Sequence, residues 1–476
     1  MSEIPARTVP LPPDSCDVLV IGAGIAGLVT ALRLRRARPE LDVQIVDVAP
    51  YAGGKLRTAE LAGVRIDVGA EAVIARRPEG MALIDELGLS ADVHHPGVAD
   101  ARIATAEGQF PVPTDTLMGV PTDLESIAAS GLLSAAGIAT LRAGGAPPVE
   151  GIDVSVAEAV GGAFGPEVVD RLVEPLLAGV YAGRADRLSL AATIPALRAR
   201  LGGGVGLLEA ARAAKAAQPR SDAPVFATVT GGIGSLPEKI ISAGGLSVTL
   251  GCPARRIQRD GSGFMVETGA APEPRFVKAR SVVVAVPAPK AARLLAGVAP
   301  SAGEQLAEVV TASMAVVVIA YRIGDLANPP PTTSGLLVPA SEGTTIKAAT
   351  YVTNKWPHLV DGDDLFIVRA SIGRVGESGV LQRTDEDLVA LARRDLAILT
   401  GISGEPVDWL VQRWAGGLPQ YDVGHLDRVV RIRDAVAEVP GLAVAGATYD
   451  GVGIPGCINS ADAAGQRVLQ HLEGDE

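Results

Sequence analysis

Cysteine is nearly missing from this chain: Cys16, Cys252 and Cys457 are the only three in 476 residues. None forms a CxxC, so neither a disulfide framework nor a thiolate-held zinc site is expected, and the reading is of a reduced, cytoplasmic protein. Histidine is scarce too, five in all. The adjacent His94 and His95 lack metal-ligand spacing to any carboxylate or Cys cluster and read as surface-loop residues, so no metal is expected. The longest apolar runs, SVVVAVPA at 281–288 and MAVVVIAY at 314–321, fall far short of the about 20 residues that a membrane-spanning helix needs. Membrane contact is therefore peripheral at most. Residues 1–15 lack the apolar stretch of a signal peptide and read as a flexible, Pro-rich lead-in. Positive charge is not in excess either. Lys and Arg number 42 against 54 Asp and Glu, a net −12, which argues against a nucleic-acid partner.

What is present is an apolar content of 48 %, ample for packed cores, over a length that suits roughly three domain-sized units at about 150 residues each. The run Asp17–Ile21 reads as a buried parallel strand. It is followed by Gly22-Ala23-Gly24-Ile25-Ala26-Gly27, a GxGxxG placed between a strand and a helix that continues to about Arg38. The three glycines serve different ends. Gly22 permits the tight turn, Gly24 lets backbone approach a pyrophosphate, and Gly27 lets helix and strand pack. The free N–H groups and dipole of the helix N-terminus favour phosphate. A second strand, Val43–Asp47, ends on a carboxylate suited to a ribose diol. Val48, Ala49 and Pro50 come next, with no cation for a 2′-phosphate.

Two further elements favour FAD over NAD. Gly53-Gly54-Lys55-Leu56-Arg57-Thr58 offers a second close backbone approach with two cations. At the chain's end, a strand at Leu442–Ala447 returns to the first sheet. It leads through Gly451-Val452-Gly453-Ile454 into a helix read from about Asn459 to Leu472. That turn can face the far end of an extended cofactor, where a helix N-terminus stabilises negative charge on a reduced flavin.

The fold class is accordingly α/β: a Rossmann-type FAD-binding domain, an antiparallel-sheet substrate domain and a mainly helical insertion. The FAD-binding domain is discontinuous, from 16–80, 225–290 and 435–476. Helical periodicity marks 81–220, and 291–434 carries the strand-rich substrate-binding domain. Within these, 144–151 and 414–425 read as loops.

Several stretches in order resemble the flavin amine-oxidase superfamily, and within it the protoporphyrinogen/coproporphyrinogen oxidase branch, over about residues 16–472. They are Gly69-Ala70-Glu71 with Ala75-Arg76-Arg77-Pro78, then Glu174-Pro175-Leu176-Leu177-Ala178-Gly179-Val180-Tyr181-Ala182-Gly183. Thr345-Ile346-Lys347-Ala348-Ala349-Thr350 with Lys355-Trp356-Pro357 is next, then Arg369-Ala370-Ser371-Ile372-Gly373-Arg374. Leu418-Pro419-Gln420-Tyr421 with Gly424-His425 and Gly451 to Cys457 complete the set. The TIKAAT and KWP stretches and the Ala/Gly-rich composition look most like the actinobacterial, coproporphyrin-forming members. Asp47 departs from the commoner Glu, and Ala70 from a frequent Pro.

The resemblance implies non-covalent FAD lined by Gly22 to Gly27, Asp47, Val48, Gly54, Lys55 and Gly69, Ala70, Glu71 and Ala72. Ala254 would serve the adenine side through its backbone, and Trp414, Val452, Gly453 and Ile454 the isoalloxazine end. Glu71 reads as a buried carboxylate or, preferred, as a cap to the next turn. The resemblance further implies a porphyrinogen substrate that loses six electrons and six protons in two-electron steps. Dioxygen would be the acceptor and hydrogen peroxide the by-product, in haem biosynthesis, with a transient ferrochelatase-type partner.

For the anionic propionates, Arg76 and Arg77 are the candidates, against a reading as solvated arginines at a helix start. Tyr351 is the candidate for packing on the macrocycle. Lys347 is a weaker one, with a strand-edge surface lysine preferred, and Tyr181 is balanced against core packing. His425 and Tyr421 either orient the 414–425 loop or simply pack. No residue is assigned as acid or base, because aromatisation supplies much of the driving force and positioning does the rest. Three alternatives stay open: a protoporphyrinogen IX oxidase, an amine oxidase and a non-catalytic flavoprotein. An amine oxidase calls for an aromatic pair boxing the flavin face, and no such pair is legible among three Trp and six Tyr.

Overall fold

The apolar run at Val18–Ile21 lies at the centre of a parallel sheet. Its strand, Ser15–Ile21, pairs with Val43–Val46 on one side and Arg275–Val284 on the other. Ser247–Thr249 extends the sheet beyond the first neighbour and Leu442–Val444 beyond the second, all parallel. A strand with neighbours on both edges and helices on both faces has no polar side to show, which is why the run does not alternate. The helix Ile25–Ala37 packs against the C-terminal helix Ile454–Gly474 and against Leu236–Gly244. Arg275–Val284 does double duty: its first half pairs antiparallel with Gly263–Thr268, which pairs in turn with Ala254–Asp260. The computed structural model describes residues 11–145, 153–202, 204–218, 224–360, 362 and 364–474. The lead-in as far as residue 10 and most of the expected 144–151 loop lie outside the described residues.

A second seven-stranded sheet runs in the order Asp408–Pro419, Thr311–Arg322, Leu365–Ile372, Ile346–Tyr351, Gly335–Leu337, Ala101–Thr105, Gly108–Pro111. Its second strand holds the MAVVVIAY run, and the pleat divides that run between two cores. Ala315, Val317, Ile319 and Tyr321 face the helix Asp385–Thr400. Val316, Val318 and Ala320 face the hairpin of Thr58–Leu61 and Val64–Asp67. The helix is capped by Thr384, whose side chain accepts the Asp387 N–H, and it stops at Gly401 in the left-handed region.

Helices between 124 and 216 form the third layer around a core of their own. Pro175 falls inside the expected 166–179 helix, where it removes a donor. The chain adjusts one step earlier with a π turn over Val169–Val173, in which the Glu174 N–H reaches back to Val169.

Three expectations are corrected. The range 81–220, read as a mainly helical domain, is not all one layer: Ala101–Thr105 and Gly108–Pro111 leave it to complete the second sheet. Residues 414–419 belong to the edge strand Asp408–Pro419, and His425–Ala437 is a helix. The glycines that looked like loop signals form a bulge, with Gly416 at φ +57 and its N–H on Ser313 Oγ. The C-terminal helix begins at Ile454, not near Asn459, because a proline at position 455 is tolerated in a first turn.

Gly27 shows how tightly the first unit is built, since a Cβ there would overlap the Gly22 carbonyl. Gly27→Val is expected to cost about 3 kcal/mol through overpacking, read as a lower thermal midpoint of the apoprotein. An unchanged midpoint would contradict this packing.

Candidate active site

Two glycine-rich loops meet at the N-terminus of the Ile25–Ala37 helix. The Gly53 N–H donates to Ala23 O at 2.7 Å, and Gly24 and Gly53 form a parallel bridge. Gly22 takes φ +116, and a Cβ there would lie 2.5 Å from Ala285 O. At Gly24 a Cβ would meet nothing within 4 Å, so the space over the helix start is open. No side chain caps that helix, which leaves its N–H groups for a phosphate. The Asp47 carboxylate accepts the N–H groups of Ala23 at 2.7 Å and Ala49 at 2.8 Å, tying the loop to the strand end. The Asp47 carbonyl accepts the Cys252 N–H, which brings the start of the Ala254–Asp260 strand beside this acid. Val48 stands at the rim, 67 % exposed. This cradle fits a dinucleotide pyrophosphate.

Farther along, Lys55, Gly69, Trp414 and Gly417 come together. Lys55 O accepts the Ala70 N–H at 2.9 Å, and a Cβ on Gly69 would overlap that carbonyl. Trp414 donates Nε1–H to Val68 O at 3.0 Å. Burial pulls the pKa of the Lys55 ammonium down. Its ion-pair or hydrogen-bond partner is not found among the described residues, so the donor set suits an anionic ligand. The turn Gly451–Gly453, with Gly451 at φ +133, precedes the C-terminal helix, and Val452 packs against the core that includes Tyr421.

Glu71 is neither exposed nor a turn cap. Lys355 Nζ meets Oε1 at 2.5 Å and Arg369 Nη1 meets Oε2 at 2.6 Å; Arg369 also donates to Gly69 O. Burial alone would raise the carboxyl pKa, but the two cations overcome it and hold it at about 2. Asp67 behaves in the opposite way. Burial pushes it up to about 7 despite hydrogen bonds from the Ile233 and Gly234 N–H groups. Asp67, Glu71, Thr228 and Trp356 line one small cavity. Lys355 and Arg369 were not singled out as site residues from the sequence. The signal was there: an arginine inside the apolar strand LFIVRASI and a glutamate between Ala70 and Ala72 each demand a buried partner.

The substrate candidates separate. Arg76 and Arg77 are exposed at the start of the helix Pro78–Glu86, where Arg77 pairs with Glu79 at 2.6 Å. Tyr351 does not face a slot: it is 0 % exposed and packs on Phe366 beneath the helix Asp385–Thr400. The pleat sends it to that side, while its strand neighbour Thr350 pairs with Arg369. Lys347 is no surface lysine, being 2 % exposed with Nζ on Ala178 O at 3.2 Å.

Tyr181 and Tyr421 form an aromatic pair that the sequence did not reveal. Their ring centroids are 5.6 Å apart and tilted by 53°. Tyr421 donates to Ala447 O and stacks on His425, whose Nε2 meets Thr448 O, so the two hold the approach to the 451–453 turn. His94 lies in a short strand and stacks on His358 at 3.8 Å, which corrects its loop reading; His95 is exposed.

Replacing Glu71 with Gln would leave two buried cations unpaired, at a cost of about 3–5 kcal/mol at pH 7. Because the folded pKa is depressed from 4.5 to about 2, this stability is present above pH 4.5 and is lost as pH falls through 2. The gap in thermal midpoint between wild type and Glu71→Gln is expected to narrow over that window; a pH-independent gap would refute the ion-pair account.

Residues 25–469 match the flavin containing amine oxidoreductase family. The coproporphyrinogen III oxidase of Mycobacterium tuberculosis (strain H37Rv) is 37 % identical over 95 % of this chain and 97 % of its own length. The Bacillus subtilis protein of the same name is 29 % identical, over 96 % and 98 %. A solved structure from Exiguobacterium sp. 255-15, provisionally assigned as a protoporphyrinogen oxidase, superposes with a TM-score of 0.83 at 28 % identity. That alignment covers 98 % of this chain and all of the other. With a glycine cradle, a returning C-terminal turn and matches of this extent, the chain belongs to the flavin containing amine oxidoreductase family, in its coproporphyrinogen/protoporphyrinogen oxidase branch, and is an FAD enzyme.

Proposed function

We propose that this protein oxidises coproporphyrinogen III to coproporphyrin III with non-covalently held FAD, using dioxygen and releasing hydrogen peroxide, in the cytoplasm as a step of haem biosynthesis. The observation that carries the reading is the full-length similarity to coproporphyrinogen III oxidases, set on a cradle whose two glycine loops meet at an uncapped helix end. Bound FAD supplies a two-electron acceptor beside the macrocycle. Asp47 would orient the ribose end, and Lys55 with the start of the Ile454–Gly474 helix would face negative charge at the other end. The Glu71–Lys355–Arg369 cluster holds the Gly69–Ala72 stretch rigid, since Arg369 bonds both Glu71 and the Gly69 carbonyl.

Porphyrinogen is an apolar macrocycle, puckered at its sp3 meso carbons, with carboxylates at its edge, so it needs an apolar slot with cations at the rim. Arg76 and Arg77, exposed just past the Gly69–Ala72 stretch, suit the propionates, whereas Tyr351, the candidate for packing on the macrocycle, is spent in the core. No acid or base is assigned: ring aromatisation drives the loss of protons, and geometry is the enzyme's contribution. The metal-free porphyrin is the species that a ferrochelatase-type partner would take up.

Tyr181 and Tyr421 bear on the amine-oxidase reading. Both rings are buried and the Tyr421 hydroxyl is committed to Ala447 O, so the pair is packing and not an open cage.

Anaerobic mixing with coproporphyrinogen III and with protoporphyrinogen IX separates the readings by flavin bleaching. Faster bleaching by the tetracarboxylate is expected, with one peroxide per electron pair on readmitting air. Preference for the dicarboxylate would reassign the substrate, and no bleaching by either would leave a flavoprotein of another function. Lys55→Met is expected to weaken FAD retention about tenfold, equivalent to about 1.4 kcal/mol, measured as the bound-flavin absorbance of the dialysed protein. Full retention would remove Lys55 from the cofactor site.

A further inference from the structure

Three stretches far from it in sequence converge on the C-terminal end of the helix Glu174–Tyr181. The last carbonyls of a helix have no donor within it, and here donors arrive from elsewhere. Ala178 O takes the Ala182 N–H at 3.0 Å and also Lys347 Nζ at 3.2 Å. Tyr181 O takes Gln420 Nε2 at 2.8 Å, and Ala182 O takes the Val375 N–H at 2.8 Å. Ala182 itself is left-handed at φ +50, an unfavourable conformation for a residue with a Cβ, so the end of this helix is held in place from outside.

Lys347 is the costly member of the set. Its ammonium is buried with Arg374 nearby, and that desolvation followed by the like charge brings its pKa down to about 7. The negative end of the helix dipole offsets part of the cost. Apolar packing alone would be served as well by a methionine, so the nitrogen is there for the carbonyl. Beyond Ala178 the helix exposes Gly179 and Val180. It then buries Tyr181 against Tyr421, which is bonded to Ala447 and packs near Val452 of the cofactor turn.

We propose that Lys347 is a positioning residue for porphyrinogen binding: by holding Ala178 O it fixes the helix end, so that the exposed Gly179 and Val180 form one wall of the substrate slot, backed by the buried Tyr181–Tyr421 pair. The inference rests on the porphyrinogen reading above. It excludes an ion pair between Lys347 and a propionate, because the ammonium is turned into the helix end and shielded from open space.

The test compares Lys347→Met and Lys347→Gln with wild type as holoenzymes. For Lys347→Met, KM is expected to rise about tenfold while kcat stays within about twofold, a loss of about 1.4 kcal/mol in substrate binding. The factor is expected to be equal for the tetracarboxylate and dicarboxylate porphyrinogens, with Lys347→Gln, which retains an N–H donor, falling between. A penalty that grows with carboxylate number would mean direct contact and overturn the proposal, as would an unchanged KM. Hydrogen exchange of the 178–183 amides, read without substrate, is the second arm. Faster exchange in Lys347→Met supports the assignment, and unchanged exchange overturns it, whether or not porphyrinogen is the substrate. Wild type that reduces with neither porphyrinogen, yet shows the exchange difference, would fault the functional reading and leave the helix-end role standing.

Discussion

The contact between Gly53 and Ala23 is what the rest of the molecule is arranged around. A backbone N–H of the second glycine loop donates to a carbonyl of the first at 2.7 Å, an approach open only to loops without side chains in the way. It brings the Lys55 segment over the start of the first helix, and Ala70 then bonds back to Lys55. The two glycine loops and the Gly69–Ala72 stretch are thus one hydrogen-bonded run. Each later element is placed relative to it: Trp414 from the second sheet on Val68, Arg369 on Gly69, and the returning C-terminal strand two places away from the first in the parallel sheet.

From that origin the second sheet acquires two unequal faces. One is a sealed core under the helix Asp385–Thr400, containing Tyr351 and Phe366. The other meets the Thr58–Asp67 hairpin and carries Arg369 toward Glu71. A slip of one residue in the strand Ile346–Tyr351 would exchange Thr350 for Tyr351 and place a phenol beside the ion cluster. Its pairing with Leu365–Ile372, bulged between Ile346 and Ala348, sets which side chains reach the site.

The parallel sheet and both glycine loops were legible because each rests on a local rule: an unbroken apolar strand, a fixed glycine spacing and a carboxylate at a strand end. The bulge at Gly416 and the helix after Gly424 were hidden because a glycine signals a break without specifying the conformation of the residues beyond it. The faces of Tyr351 and Lys347 were misread for a different reason. In a strand buried on both sides, composition carries no alternation, so the direction of a side chain depends on register, and register depends on distant partners. The Glu71 cluster was half legible, since buried charge demands a counter-charge, but only the fold says that Lys355 and Arg369, some 284 and 298 positions away, provide it.

Three lysines drawn in from solvent meet the cost of burial in three ways, and the contrast says what each is for. Lys355 has a carboxylate, sits near the rings of Phe226 and Trp356, and belongs to a closed ion cluster. Lys347 has a helix carbonyl in place of a carboxylate, an arrangement that holds an element and neutralises little. Among the described residues Lys55 has neither; its strongest electrostatic neighbour is the buried thiol of Cys457. The fold satisfies the first two with groups of its own and leaves the third beside the glycine-lined loops, an arrangement that suits a ligand anion. On the function proposed above, an elongated anion lying along the two glycine loops would supply that partner, and the acid at the end of the second strand would fix which way round it lies.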